Sequence, residues 1–231
     1  MEKSFTTIQT SVRYGLALHT TTPELGLAMG NVMGETRCDV WNLERRVSNL
    51  LHQYIVEFIK PQTWKDLEFI AVAKGPGGFT GTRIGVVAAR TLGQQLEIPV
   101  FAISTLSAIA WSQLKSKDNS SLQKTVLRGE CIRAIAVQMP AQRGHIFAGI
   151  YKPSSDGKKL KVLLDDTIFL LEEWQKKLAN LRTEYQLVVA TSGLAKTVGS
   201  ILELAYIDWS LKQNPHWSEA LPYYGEYPII D

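Results

Sequence analysis

Cysteine is nearly missing from this chain, and its two cysteines, Cys38 and Cys131, lie far apart in strand-like runs. That excludes a disulfide framework and a cysteine metal site, and it points to a reducing compartment. Histidine is almost as sparse. Of His19, His52, His145 and His216, none has a second ligand at metal spacing. His52 stands on a helical pattern, but the residue four earlier is Ser48, and one histidine on a helix is not a metal site. No apolar run approaches the length that a bilayer demands. Charge of one sign is also lacking: the formal net charge is +3 and the basic residues are dispersed, too little for a nucleic-acid footprint. Met1 to Val12 hold Lys3 and several Ser and Thr but no apolar core, which excludes an ordinary secretory signal and predicts a disordered extension.

What is present is a globular composition, 45% hydrophobic and 20% charged over 231 residues, enough for one large domain or two lobes. The most informative stretch is Lys74-Gly-Pro-Gly-Gly-Phe-Thr-Gly-Thr-Arg-Ile-Gly85. It follows an apolar strand-like run, Phe69 to Ala73, and leads into a helical pattern, Val86 to Leu96. Gly75, Gly77 and Gly78 allow a sharp turn, Pro76 pre-sets one dihedral, and Thr80 is placed as the helix N-cap. Such turns often hold phosphate. The spacings fail, however: Gly81 is followed by Thr82 and Arg83 rather than Lys and Ser/Thr, and a dinucleotide fingerprint from Gly75 would need glycine where Thr80 stands. A tight turn that sets the helix direction is the better reading.

Gly81, Gly85, Ala89 and Gly93 recur every four residues and share one helix face. Interior glycine costs a helix roughly 1 kcal/mol relative to alanine, so two of them on one face signal a close approach. Either the helix lies tightly on its own sheet or a helix of another subunit meets it.

The run GPGGFTGTRIG, followed by Leu92-Gly93 and Ile103-Ser-Thr-Leu-Ser107, resembles the TsaB (YeaZ) family. These are accessory subunits of tRNA threonylcarbamoyladenosine synthesis, with the duplicated actin-like ATPase fold, and were once grouped with the M22 glycoproteases. The resemblance is good from Tyr14 to Trp111 and recovers from Arg143 to Tyr151. It implies a C-terminal segment that docks back on the fold, which the apolar, two-proline stretch from Ala220 onward also suggests.

Element order supports that fold independently. Strand-like segments at Tyr14–Leu18, Leu25–Gly30 and Thr36–Trp41 predict an antiparallel meander. Asn42 to Lys60 is helical, with Val47, Leu50, Leu51, Tyr54, Ile55, Phe58 and Ile59 at three-four spacing and Pro61 as its stop. The strand at Phe69, the small-residue helix and a strand at Val100–Ile103 complete a first lobe, residues 13–106. Residues 107–231 repeat the order: strands at Cys131–Val137, His145–Tyr151 and Leu160–Leu164, a helix at Leu170–Leu181, a strand at Leu187–Ala190 and a helix at Leu194–Ala205. Ser104 to Trp111 connects the halves, and Lys117–Ser121 reads as a surface loop. The order β-β-β-α-β-α, met twice, favours an α/β duplicated ribonuclease-H-like fold over a doubly wound sheet.

The resemblance also implies where chemistry should sit. Leu18-His19-Thr20-Thr21 occupies the place where the family usually has Asp, and imidazole substitutes poorly for a carboxylate beside hydrated magnesium. Ala141-Gln-Arg-Gly-His145 matches a polar block of the family only at Arg143 and Gly144 and reads as a hairpin turn. No Gly-x-Ser-x-Gly elbow or His-Glu-x-x-His occurs, and Ser192-Gly193 is half an elbow at most. No catalytic residue, cofactor or metal is therefore expected.

The resemblance implies a non-catalytic, cytoplasmic scaffold that binds and activates a TsaD-type catalytic subunit. A TsaE-type small ATPase would act through the complex, and tRNA would be met only indirectly. The helix pair would supply the interface, with Val47, Leu51, Tyr54, Ile55, Phe58, Gly81, Gly85, Ala89 and Gly93 as candidate contacts. Gly75, Pro76, Gly77, Gly78, Thr80 and Arg83 would form the structural turn. The alternatives are a degenerate peptidase or actin-like small-molecule kinase, and a self-associating module that pairs as a homodimer when the partner is absent.

Overall fold

The computed structural model describes residues 12–116 and 133–225. The expected N-terminal extension, the Lys117–Ser121 loop and Cys131 lie outside the described residues.

Two sheets share the chain. The first has the order β3-β2-β1-β4-β5, built from β1 (Tyr14–His19), β2 (Glu24–Asn31), β3 (Thr36–Asn42), β4 (Leu67–Ala73) and β5 (Val100–Ile103). β1, β2 and β3 pair antiparallel, as the meander predicted, while β4 lies parallel to β1 and β5. The second has the order β8-β7-β6-β9, built from β6 (Ala134–Pro140), β7 (His145–Pro153), β8 (Leu160–Leu170) and β9 (Tyr185–Val189). The arrangement is the duplicated, two-lobed α/β fold read from the element order.

Helices α1 (Val47–Phe58) and α2 (Phe79–Leu96) cover one face of the first sheet, and α4 (Leu171–Ala179) covers one face of the second. The remaining two helices cross over. α3 (Thr105–Ser116) leaves the first lobe and packs Leu106, Ile109 and Leu114 on the second sheet. α5 (Val198–Ser210), which follows β9, packs Val198, Ile201, Leu202 and Ala205 on the first. Each lobe thus completes its core with a helix from the other half.

Several expected boundaries move. α1 starts at Val47 rather than Asn42, because Glu44 takes a left-handed conformation (φ 51) as its amide donates to Pro23 O. β8 runs six residues past the expected Leu164, to Leu170, with the polar Asp165, Asp166 and Thr167 inside it. The 141–145 segment is the expected hairpin turn. Arg143 and Gly144 have φ of 55 and 75, and Ala141 N donates to His145 O at 2.9 Å.

Candidate functional site

The end of β1 and the start of α2 meet at the bottom of the fold's main cleft. His19 closes β1 and is 0% exposed, and neither ring nitrogen has a hydrogen-bond partner among the described residues. Burial holds its pKa down at about 4, against a small opposing contribution from its own backbone, so the ring is neutral near pH 7. Thr20 Oγ1 donates to Gly81 O at 2.8 Å, and Gly78 N donates to Thr21 O at 2.7 Å. The Gly78 amide is therefore committed to the chain's own carbonyl and not offered to a phosphate.

Thr80 is not the N-cap. The helix begins at Phe79, Gly78 holds the cap position with no side-chain bond, and Thr82 Oγ1 donates back to Gly78 O at 2.8 Å. Thr80 sits exposed in the first turn, and Arg83 extends its guanidinium over the Phe79 ring.

The glycine stripe faces inward. A Cβ on Gly81 would overlap Thr20 O, one on Gly85 would overlap Thr20 Oγ1, and one on Gly93 would overlap the Val100 side chain. The close approach is to the helix's own sheet. The same holds for α1, whose Val47, Leu51, Ile55 and Phe58 are buried in the lobe core. Of the nine residues named for a partner contact, only Tyr54 and Gly81 reach the surface, and those only in part. The apolar stripe read as wide enough for two neighbours is spent on one.

What the helix pair offers outward is different. Ser48, His52 and Val56 point away from the sheet on α1, and Thr80, Val87 and Thr91 do so on α2. Val56 is 43% and Val87 58% exposed. Exposed valines at adjacent helix faces were missed because the sequence reading ranked apolar periodicity alone. Val56 and Val87 fall just outside the main stripe.

The cleft between the lobes measures about 1600 Å³. Thr20–Pro23 and Gly77–Gly81 line one side, and Met139–Gln142 with Thr191 line the other. Among the described residues, Glu44 and Arg45 are the only charged ones in its walls. Among the described residues no group of three His, Cys, Asp or Glu side chains is placed to hold a metal ion. Ser192 is exposed ahead of Gly193, which turns at φ 67 into the 3₁₀ turn Leu194–Thr197, and no base side chain bonds it among the described residues.

Behind the cleft a polar knot joins the lobes. Asp166 of β8 accepts from Ser104 Oγ at 2.6 Å and from Tyr151 OH. Burial raises the Asp166 carboxyl, with the two hydroxyls and Lys74 opposing; burial first, then Asp166, raises the Tyr151 phenol. Ser104 also accepts from Ser107 N at 3.0 Å, which makes it the N-cap of α3. Tyr223 then straps the knot, donating from its amide to Lys74 O (2.7 Å) and from its hydroxyl to Asp166 O (2.5 Å). Gly75, at φ 104, is required there because a side chain would strike Tyr223 O. In the sequence the Ser104–Ser107 run is legible only as part of the family-like block and as the start of the connecting helix; its capping role and its acidic partner, sixty-two residues on, are not.

Comparison with known proteins places this geometry. A family model described as TsaD, tRNA N6-adenosine threonylcarbamoyltransferase, matches residues 45–123. The TsaB threonylcarbamoyladenosine biosynthesis protein of Buchnera aphidicola (from Schizaphis graminum) is 37% identical over 107 residues, 43% of this chain and 50% of that protein. TsaB of Bacillus subtilis is 32% identical over 114 residues, 49% of this chain and 42% of that one. The chain thus spans about half the length of the curated relatives it matches. Among solved structures, YeaZ from Pseudomonas aeruginosa has a TM-score of 0.69 at 19% identity, over 92% of this chain and 99% of that one. A second Pseudomonas aeruginosa protein, described as similar to peptidase YeaZ, has a TM-score of 0.73 at 19% identity, over 93% and 100%. The resemblance read from the glycine block and the duplicated fold are both borne out.

Proposed function

We propose that this chain acts in tRNA threonylcarbamoyladenosine biosynthesis as a non-catalytic subunit that binds a TsaD-type catalytic subunit and holds it in its active shape. The TsaB relatives' part in threonylcarbamoyladenosine biosynthesis supports the pathway. The observation that carries the non-catalytic part is His19. A neutral, fully buried imidazole stands where the family resemblance implies a carboxylate, and it can neither position a hydrated cation nor reach the cleft solvent. Among the described residues, Glu44 is the one carboxylate that lines the cleft.

The contact surface in this reading is the outward face of α1 and α2, centred on Val56 and Val87 and flanked by His52, Thr80 and Thr91. A TsaE-type ATPase acts on the assembled complex, tRNA is met through the catalytic subunit, and the protein works in the cytoplasm. No described helix is long and apolar enough to cross a membrane.

Two measurements test the proposal. Depleting the protein in its host and quantifying tRNA nucleosides by mass spectrometry should show threonylcarbamoyladenosine falling while its unmodified precursor accumulates. An unchanged level would remove the pathway assignment. Val87→Glu should leave the fold intact and abolish co-elution with the TsaD-type subunit; retained co-elution would move the contact elsewhere. The same exposed valines also support pairing with a second copy of this chain, and equilibrium sedimentation with and without the TsaD-type protein separates the two.

A further inference from the structure

On the other flank of α1, away from α2, lies a second groove, about 390 Å³, between that helix and β3. The two-residue period of a strand puts Arg37, Asp39 and Trp41 on the α1 side of β3. Trp41 meets Tyr54 edge-on at 4.9 Å and Phe58 at 6.1 Å, which gives the groove an aromatic floor. Acidic side chains stand on both walls: Asp39 on the strand, and Glu57 on the helix beside Gln53.

The one cation on this face of β3 is already committed. Arg37 Nη2 donates to Phe58 O and Ile59 O at 2.8 and 2.9 Å, closing the C-terminus of α1, and its guanidinium lies over the Phe58 ring. Asp39 has no ion-pair or hydrogen-bond partner among the described residues. Glu57 accepts from Lys60 at 2.9 Å, but both are more than half exposed, so that bond exchanges readily with an incoming donor. An aromatic floor below two carboxylates is complementary to an organic cation, whose alkyl stem packs on the rings while its charge meets the acids.

β3 is also the outermost strand of its sheet, with no strand partner on its outer edge among the described residues. Its sequence, Thr36 to Asn42, contains no proline. Such an edge presents unpaired amides and carbonyls to an extended chain. We propose that the β3–α1 groove receives a lysine or arginine side chain carried by an extended segment of a partner protein that pairs along the edge of β3. The acidic rim repels phosphate, so nucleic acid is not the occupant. The surface is separate from the α1–α2 face, and the inference does not depend on the reading above.

The test uses the full ¹⁵N-labelled chain and two capped peptides, Thr-Val-Lys-Val-Thr and its counterpart with glutamine in the central position. The lysine peptide should shift the Trp41 indole resonance and the amides of residues 36–42 saturably. The glutamine peptide should bind roughly five- to tenfold more weakly, as should the lysine peptide on Asp39→Asn/Glu57→Gln. Both substitutions are at exposed positions and leave the core untouched. Absence of saturable shifts, equal binding of the two peptides, shifts mapping away from β3 and α1, or unchanged binding by the double variant would each overturn the proposal.

Discussion

An imidazole buried without a partner records its burial as a pH dependence. Folding lowers the His19 pKa from 6.5 to about 4, so between those values the unfolded chain binds a proton that the native chain refuses. Its contribution is intact above pH 6.5 and is lost as acid passes through the window, by about 3 kcal/mol on reaching pH 4. The raised Asp166 carboxyl works in the opposite sense, because the native state holds its proton more tightly. Urea melts of the wild type and of His19→Asn at pH 7 and pH 5 separate the two effects: the asparagine variant should show the shallower loss on acidification. At Gly85, alanine would drive its methyl into Thr20 Oγ1, and we expect Gly85→Ala to cost about 1–3 kcal/mol of stability. Thr20→Ala in the same chain should recover part of that loss, a non-additivity readable by chemical denaturation. At this scale the sequence was legible in part. The exceptional glycines announced a close approach, but a glycine records only that something is near. That the neighbour is Thr20 and not a partner helix is decided by chain packing sixty-five residues away.

Among the elements, the C-terminal segment has the most to lose. Residues 221–225 run from the first lobe across the glycine turn to β8, with Tyr223 bonded to Lys74 and Asp166 and Tyr224 packed at 4.6 Å on Phe79. Truncation after Ala220 removes both hydrogen bonds and the ring contact, a loss of about 2 kcal/mol. The melting temperature should fall by roughly 4–8 °C in calorimetry. Strands and helices were legible from periodicity, because burial on one side imposes a period of two or of 3.6. The ends were not. α1 begins five residues late because of a left-handed Glu44, and β8 outlasts its apolar run because Asp166 turns inward to Ser104 and Tyr151. Both causes are tertiary, and no local pattern encodes them.

For the whole molecule, the duplicated order of elements was readable, but the exchange of helices between lobes was not. Nothing in an apolar helix face says which sheet it will meet. The exchange predicts that the lobes do not unfold separately: near-ultraviolet dichroism, which reports the tryptophans of both halves, and calorimetry should give one coincident transition. Residues 13–106 expressed alone should form no stable core, since one face of their sheet loses Ile201, Leu202 and Ala205. This interleaving also bears on how the protein is made. The ribosome releases β1 through β5 about a hundred residues before α5, so a nascent first sheet waits with its greasy side uncovered until that helix has been made. Any slowing of synthesis between β5 and α5 lengthens that wait and leaves the half-made chain exposed to aggregation or to chaperones.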